Sequence, residues 1–269
     1  MGGGLVAIRF KPTIYSFTAN RCGVVEGSDK LRLRATRVFV DVLRAADIKH
    51  AYREVQEHYV IAELVRLPVT ELAMYGQAPF TPKDVTSRAF QDLPKGTSIE
   101  VIVKRFHSGT SKHRYNGMSG AHVRSSHPLY GAVASEIRAD DAYPAPIVRF
   151  DWRNPLHNKE GKQVADEIIP EDMADWFIDV KKARATALRV YDALETFLAA
   201  RDIVLYDLCL FMAEDGETVY GEISQDCGRY RHFDLGSLDK DVWRTGGSSA
   251  DVLAKWELLL QHIENKVTP

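Results

Sequence analysis

The stretch from residue 172 to residue 224 constrains the fold most, because it joins a long amphipathic helix to two adjacent strands. The apolar side chains on one face of the predicted helix, over 172–200, are Trp176, Val180, Ala187, Val190, Leu194 and Phe197. The runs IVLYDLCLFM and TVYGEIS follow, joined by an Asp-Gly turn that is typical of a β-hairpin. A helix that buries one face beside antiparallel strands predicts an α+β fold.

The remaining periodic segments agree with this class. Short strands are predicted at 5–10, near 59–67 and at 99–103, and further helices at 30–46 and 249–264. Residues 107–145 are rich in Gly, Ser, His and Pro, which predicts long loops, and long loops in compact domains are often functional. We expect antiparallel sheets with packed helices, in two α+β subdomains at 1–105 and 106–269 with a cleft between them.

Composition narrows the class of ligand. A net charge of −2 over 269 residues gives no broad attraction to nucleic acid or to an anionic membrane. No apolar run approaches the roughly 18 residues that span a bilayer, and the start of the chain lacks a signal peptide's pattern. Cys22, Cys209 and Cys227 lack metal-ligand spacing, which predicts neither a zinc site nor a disulfide framework. We expect a cytoplasmic protein that binds a small molecule, and the pattern leaves homo-oligomerisation open.

One polar cluster, SIEVIVKRFHSGTSKHR at 98–114, leads from a predicted strand into a loop. It combines hydroxyl groups, a glycine and six basic or titratable side chains, the mixture that phosphate binding needs. A solvated basic loop has the same composition, so this cluster alone leaves both interpretations open.

Two further clusters carry charged side chains. The first, GEISQDCGRYR at 221–231, follows a strand directly, where ligand sites commonly lie, although a polar turn with a surface ion pair is equally compatible. The second, FDWRNP at 150–155, sets an arginine beside aromatic rings that could clamp a heterocycle. Its alternative is a loop packed by Trp152.

Taken in order, these segments resemble the SAICAR synthetase (phosphoribosylaminoimidazole-succinocarboxamide synthetase) family. The stretches that carry the resemblance are IEVIVKRFHSGTSKHR at 99–114, VLYDLCLFM at 204–212, GEISQDCGR at 221–229 and LDKDVWR at 238–244. SFTANRC at 16–22, followed by Lys30, adds a weaker match near the start. The resemblance covers most of residues 5–265 and implies the family's fold.

The family uses ATP and magnesium to activate the carboxylate of a phosphoribosyl-aminoimidazole, which aspartate then attacks. The resemblance implies that Lys104, Thr110 and Arg229 hold the substrate's phosphate and carboxylate. Together with the clusters above, it gives as substrate-binding residues Lys30, Lys104, Ser108, Thr110, Arg114, Arg153, Ser224 and Arg229.

The sequence departs from the family where ATP is handled. The glycine-rich strands that cover the ATP phosphates are shortened, with only Met1 to Gly4 before the first strand. Cys209 and Phe211 stand where the family has lysine and glutamate, and Gly221 where it has a metal-binding aspartate. Phosphoryl transfer depends on metal and cations to neutralise developing charge. We therefore expect no metal and no cofactor.

These departures predict an enzyme that was repurposed to act on a phosphoribosylated imidazole or purine-derived nucleotide. SAICAR-synthetase-like proteins occur in the pathways to the nucleoside antibiotics pentostatin and coformycin, where a 1,3-diazepine ring is built. Ring opening and closing need acid–base groups, and the candidates are His107, Asp207, Glu222 and Asp226, with His113 beside them.

Two alternatives stay open. Asp207, Glu222 and Asp226 could recruit Mg-ATP for the family's ATP-dependent ligation. The chain could also be a non-catalytic subunit that binds nucleotides in the same pocket.

Overall fold

The computed structural model describes residues 4–16, 21–66, 94–154, 160–161 and 164–265. The strands are β1 (Leu5–Ile8), β2 (Thr13–Ser16), β3 (Arg21–Val24), β4 (Tyr52–Val55), β5 (Val60–Glu63), β6 (Gly96–Phe106), β7 (Ala142–Trp152), β8 (Glu167–Ile168), β9 (Ile203–Ala213), β10 (Val219–Tyr220), β11 (Gly228–His232) and β12 (Gly236–Ser237). The helices are α1 (Ser28–Ala45), α2 (Thr110–Arg114), α3 (Glu171–Ala174), α4 (Val180–Ala199), α5 (Asp241–Arg244) and α6 (Ser249–Glu264), with a 3-10 turn at Gly120–His122. The α+β prediction is confirmed.

Within the described ranges, an antiparallel sheet of seven strands forms the middle of the molecule. Its strand order is β12-β11-β9-β6-β7-β8, and β10 pairs with β9. β1, β5 and β4 form a separate three-stranded sheet, and β2 and β3 form a hairpin. The three central strands β6, β7 and β9 are 11 residues long. They therefore provide a broad platform on which side chains far apart in sequence can meet.

The two faces of this platform differ because side chains alternate along a strand. On β6, Val101 and Val103 join the main hydrophobic core, where Phe39 of α1 and Leu194 of α4 are also fully buried. The opposite face of β6 carries Glu100, Ile102 and Lys104. We call this opposite face of β6 and its neighbours β7, β9 and β11 the polar face.

A smaller core holds the hairpin against the C-terminal helices. Its buried side chains are Ile14, Val25, Trp243, Val252 and Trp256. α6 begins with a capping box, in which the Ser248 side chain accepts from the backbone N–H of Asp251 and the Asp251 carboxylate accepts from the backbone N–H of Ser248. The predicted helices at 30–46 and 249–264 are confirmed within two residues.

The predicted single helix over 172–200 is wrong, because α3 and α4 are separated by a turn. Asp179 restarts the helix: its carboxylate accepts from the N–H of Lys182 at 3.0 Å. The backbone N–H of Asp179 donates to the carbonyl of Glu214, which fixes the turn to the β9–β10 hairpin. Trp176, expected on the buried face, lies in the turn and is 73% exposed.

Two strand boundaries also differ from expectation. The predicted strand TVYGEIS ends at Tyr220, because Gly221 takes φ +84°, which no extended strand allows. Phe150, Asp151 and Trp152 form the end of β7. A loop packed by Trp152 was the alternative that the sequence had left open. The predicted segments at 16–22 and 59–67 include residues 17–20 and 67, which lie outside the described residues.

No helix in the described ranges combines the length and the apolar character needed to cross a bilayer. The proposed division into subdomains at residues 105 and 106 stays a prediction.

Candidate functional site

A cavity of about 390 Å³ opens at the end of the polar face, where α2 and α5 approach β11. We call it the arginine pocket, and its lining residues are Ser108, Gly109, Lys112, His113, Asp140, Arg229, Arg231, Asp241, Arg244 and Thr245. Four of these side chains are cationic and two are carboxylates, which leaves a surplus of two positive charges before histidine is counted. A pocket with this surplus attracts an anion even though the whole chain is slightly acidic.

Gly109 lets the pocket close tightly around one guanidinium group. Its backbone has φ +56° and ψ −131°, a conformation that residues other than glycine rarely adopt. A Cβ atom at this position would lie 2.5 Å from Nη2 of Arg229. Arg229 therefore lies directly against the backbone of the loop that precedes Thr110.

A buried ion cluster lies beneath the pocket. Asp207 accepts from Nζ of Lys104 at 2.8 Å and from Nη1 of Arg229 at 2.5 Å, and Oγ of Ser108 lies 3.4 Å away. The Lys104 and Asp207 side chains are only 2% and 3% exposed. Burial alone would raise the pKa of Asp207, but the charges of Arg229 and Lys104 outweigh burial and hold the pKa well below its usual range. Asp207 is thus a fixed anion that orients two cations.

Asp241 lies close to all three arginines of the pocket. It accepts hydrogen bonds from Arg231 and Arg244, and its Oδ1 lies 3.7 Å from Nε of Arg229. The fully buried Asp239 also pairs with Arg231 and Arg244. The guanidinium groups are therefore oriented in advance by carboxylates on their protein side.

The loop between β10 and β11, Gly221 to Cys227, is held by a separate set of charges. Nε of Arg32 donates to Oε1 of Glu222 at 2.7 Å, and Asp226 lies 3.0 Å from Nζ of Lys240. Burial alone would raise the pKa of Asp226, but Lys240 and Arg32 lower it. Neither acidic side chain lines the arginine pocket.

Of the predicted substrate-binding residues, Ser108 and Arg229 line the arginine pocket, and Lys104 lies beneath it. Thr110 and Arg114 face the other way: Thr110 accepts from Arg149 on β7, and Arg114 lies 3.5 Å from Glu167 on β8. Thr110 and Arg114 therefore do not line the arginine pocket, and their substrate-binding roles stay predictions.

The other predicted residues are dispersed. Arg153 pairs with Glu100 on β6, and the fully buried Ser224 bonds to Glu222. Lys30 is exposed and lines a different groove, about 770 Å³ in volume, between α1 and α6. None of these three residues lines the arginine pocket, and their substrate-binding roles stay predictions.

His107 lies just outside the pocket. Its Nδ1 is 2.8 Å from the hydroxyl of Tyr143, and its ring is buried. Burial, together with the charge of Lys104, lowers the pKa of His107, so that its neutral form is favoured. The acid–base roles expected of His107, Asp207, Glu222 and Asp226 stay predictions.

Sequence reasoning missed several residues of the site. Arg231, Arg244, Lys112 and Asp241 line the pocket, and Arg32 clamps Glu222. The signal for Arg32 was available, since it is a charged residue on the buried face of α1. Buried arginine almost always has a partner, which would have indicated a carboxylate elsewhere in the chain.

The middle of the polar face carries two further arginine–carboxylate pairs. Glu100 lies directly opposite Asp151 of β7 and Phe211 of β9. Nη1 of Arg153 donates to Glu100 at 2.5 Å, and Nη2 of Arg149 donates to Asp151 at 2.6 Å. Burial raises the pKa of Glu100 and also that of Asp151.

An aromatic side chain occupies the neighbouring position on β9. The ring of Phe211 lies 6.0 Å from that of Tyr220 and 5.2 Å from the guanidinium carbon of Arg153. A Cβ on Gly221 would meet Phe211 at 3.4 Å. Phe211 and Gly221 are thus in contact, and they stand at two of the positions where the resemblance places acidic residues.

Comparisons with known proteins agree on the family. The sequence model of the SAICAR synthetase family matches residues 4–258. The bifunctional cordycepin biosynthesis cluster protein 3 of Cordyceps militaris is 25% identical over 307 residues, and the alignment covers 97% of this chain but 31% of that protein. The phosphoribosylaminoimidazole-succinocarboxamide synthase of Thermococcus kodakarensis is 25% identical over 265 residues, or 97% of this chain and 90% of that one.

Solved structures give the same fold. SAICAR synthetase from Pyrococcus horikoshii OT3 superposes with a TM-score of 0.68 at 21% identity, covering 100% of this chain and 97% of that one. A SAICAR synthetase in complex with ADP gives a TM-score of 0.69 at 21% identity, over 98% and 93% of the two chains. With the family match over nearly the whole sequence, the chain belongs to the SAICAR synthetase family.

Proposed function

We propose that this chain is an enzyme that binds a phosphoribosylated imidazole or purine-derived nucleotide and transforms it without consuming ATP. The observation that carries the proposal is the arginine pocket, which gathers Arg229, Arg231 and Arg244 around one cavity. Guanidinium groups bind phosphate through paired, charge-assisted hydrogen bonds. The ligand's phosphate would lie among them, with the Ser108 hydroxyl as a further donor.

The pocket is suited to binding because its cations are held in place before a ligand arrives. Asp207 fixes Arg229 from below, and Asp239 fixes Arg231. Ordering a free arginine side chain would cost conformational entropy at the moment of binding. Here part of that cost is already met in folding.

The residues present do not fit the family's handling of Mg-ATP. Magnesium prefers oxygen ligands, whereas Phe211 and Gly221 offer none from their side chains, and Cys209 replaces a cationic lysine. The two remaining acidic residues of that motif, Glu222 and Asp226, are occupied by Arg32 and Lys240. These contacts support a reaction that uses the inherited phosphoribosyl pocket without phosphoryl transfer.

The name of the Cordyceps militaris relative supports a place in nucleoside biosynthesis. We extend the proposal to nucleosides of the coformycin and pentostatin type, in which a 1,3-diazepine ring is formed by ring opening and closing. Such steps move protons, and the neutral imidazole of His107, next to Ser108 of the pocket, is suited to exchange one.

The name of the Thermococcus kodakarensis relative favours a second function, ATP-dependent SAICAR synthesis. Assays for ADP release with aspartate and a phosphoribosyl-aminoimidazole carboxylate distinguish the two. We expect calorimetry to detect the phosphoribosyl ligand and no magnesium-dependent ATP binding. We also expect turnover of a phosphoribosyl nucleotide without ATP.

Micromolar binding of Mg-ATP with formation of the amide product would replace our proposal with ATP-dependent ligation. Tight binding of phosphoribosyl ligands without turnover of any of them would indicate a nucleotide-binding subunit instead. Ligands that bind equally well with and without the 5′-phosphate would show that the arginine pocket is not the phosphate site.

A further inference from the structure

Two buried polar atoms on the polar face have no hydrogen-bond partner among the described residues: Nε of Arg149 and Oδ1 of Asp151. Their side chains are only 10% and 5% exposed. Buried polar atoms in folded proteins are nearly always hydrogen-bonded, so a pair of this kind calls for an explanation. One atom is a donor and the other an acceptor, and a direct ion pair between the same two side chains holds them side by side.

This pair is connected to the arginine pocket through Thr110, although neither of its side chains lines the pocket. Nη1 of Arg149 donates to the hydroxyl of Thr110 at 3.0 Å, and Thr110 is the first residue of α2. Gly109, Lys112 and His113, around and within the same short helix, line the pocket. A ligand whose phosphate lies in the pocket can therefore extend along α2 toward β7.

The chemistry of the two atoms selects the group that fits. The N–H of Arg149 needs an acceptor, and Oδ1 of Asp151 needs an N–H donor. A carboxamide, an amidine or the amino edge of a heterocycle presents both. A carboxylate presents only acceptors and would face Asp151 with like charge, and Glu100 lies directly opposite Asp151 on β6.

We propose that Arg149 and Asp151 form a second subsite, which binds a carboxamide- or amidine-type group at the end of the ligand away from its phosphate. The proposal rests on the proposed function, because it assumes a phosphorylated ligand in the arginine pocket. The ligand group accepts from Nε of Arg149 and donates to Oδ1 of Asp151, while Nη1 of Arg149 keeps its hydrogen bond to Thr110. The subsite thereby separates amide-bearing ligands from carboxylate-bearing ones.

Three probes test this with the wild-type protein. They are the ribonucleotides of 5-aminoimidazole that carry a carboxamide, a carboxylate or only hydrogen at carbon 4. By calorimetry we expect the carboxamide probe to bind about tenfold to a hundredfold tighter than the hydrogen probe, because it gains hydrogen bonds to charged groups. The carboxylate probe should bind weakest of the three.

Two variants separate recognition from folding. Arg149→Lys removes the Nε donor but keeps the charge, and should abolish the preference for carboxamide while leaving the hydrogen probe within about twofold. Asp151→Asn removes the repulsion and should raise the affinity for the carboxylate probe, a gain that a purely structural role would not give. Arg184→Lys and Asp172→Asn, on the α3–α4 surface, are the matched controls.

Equal binding of all three probes by the wild-type protein would overturn this subsite and leave the phosphate pocket intact. Failure to bind any probe would overturn both the subsite and the proposed function. If Arg149→Lys lowers the affinity for every probe equally and also lowers the melting temperature, Arg149 has only a structural role. If Arg149→Lys does not fold, the order of the three probe affinities in the wild type and the result for Asp151→Asn test the subsite.

Discussion

The arginine pocket and the Gly221–Cys227 loop contain the same types of charged residue, yet their charges are balanced differently. In the loop, Arg32 and Lys240 match Glu222 and Asp226 one for one. In the pocket, the lining cations together with Lys104 outnumber the lining carboxylates together with the buried Asp207 and Asp239 by one. The loop is therefore saturated by its own charges, whereas the pocket retains attraction for an anion.

This difference shows that the identity of charged residues matters less than the balance between them. A carboxylate that is fully paired stabilises a loop, and an arginine cluster with a surplus of charge can bind a ligand. We therefore expect the Gly221–Cys227 loop to contribute stability and the arginine pocket to bind the ligand. Substitutions in each region test these two roles.

The largest effect is expected from Asp207→Asn. This change leaves Lys104 and Arg229 without their buried anion, and breaking a buried pair typically costs about 3–5 kcal/mol of the free energy of unfolding. Denaturant unfolding measures the loss, with the exposed Asp172→Asn as a control expected to change it by under about 0.5 kcal/mol. Wild-type stability in Asp207→Asn would show that the cluster is not a source of stability.

The same residue predicts the direction of a pH dependence. The pKa of Asp207 is lower in the folded protein than in the unfolded chain, so its contribution is complete above the unfolded value of about 3.9. That contribution is lost as the pH falls through the folded value. The difference in stability between the wild type and Asp207→Asn should therefore shrink only in acid, below about pH 4.

The second prediction compares one arginine from each region. Arg229→Ala should weaken binding of a phosphoribosyl imidazole about tenfold to a hundredfold, because one charge-assisted hydrogen bond to phosphate is lost. The same ligand without its 5′-phosphate should bind equally to both proteins. Arg32→Ala should lower the stability but change binding by no more than about twofold. A similar loss of affinity in both variants would merge the two regions into one site.

The third prediction uses two glycines with positive φ. Gly109→Ala should reduce phosphate binding about tenfold, because the new Cβ would collide with the guanidinium of Arg229 and displace it. Gly117→Ala also places a side chain at a positive φ, +72°, but the new Cβ meets no atom within 4 Å, so binding should be unchanged. Calorimetry with inorganic phosphate measures the affinity of both variants. Equal affinities in the two variants would mean that the position of Arg229 is unimportant.

The smallest effect is expected from Asp241→Asn, and it is a gain. Removing a carboxylate from the wall of the pocket increases its positive surplus, and a change of about 1 kcal/mol would tighten phosphate binding about fivefold. Titration with phosphate at low salt measures it, and added salt should diminish the difference. Weaker binding would show that Asp241 acts chiefly by holding Arg231 and Arg244 in place.

The sequence predicted local structure well where one periodic pattern dominates. α1 and α6 were placed within two residues because their apolar stripes are local signals. The break between α3 and α4 was missed because the bond from Asp179 to Glu214 spans distant segments. The helical period continues through the break, and only the tertiary contact interrupts it.

The site was predicted in part, and for a similar reason. The clusters at 98–114 and 221–231 do supply Ser108 and Arg229 to one pocket. Which charges are used up by partners depends on pairings such as Lys104 with Asp207, 103 residues apart. No local pattern reveals such a pairing, so Lys104 was expected to be a ligand contact rather than a buried support.

The contact between Phe211 and Gly221 bears on how this site could change again. A glutamate at position 211 alone would stand directly opposite Glu100, and like charges on adjacent strands repel. An aspartate at position 221 alone would have to adopt φ +84° against an aromatic ring. Replacement of either Phe211 or Gly221 alone by an acidic residue is thus expected to destabilise the fold.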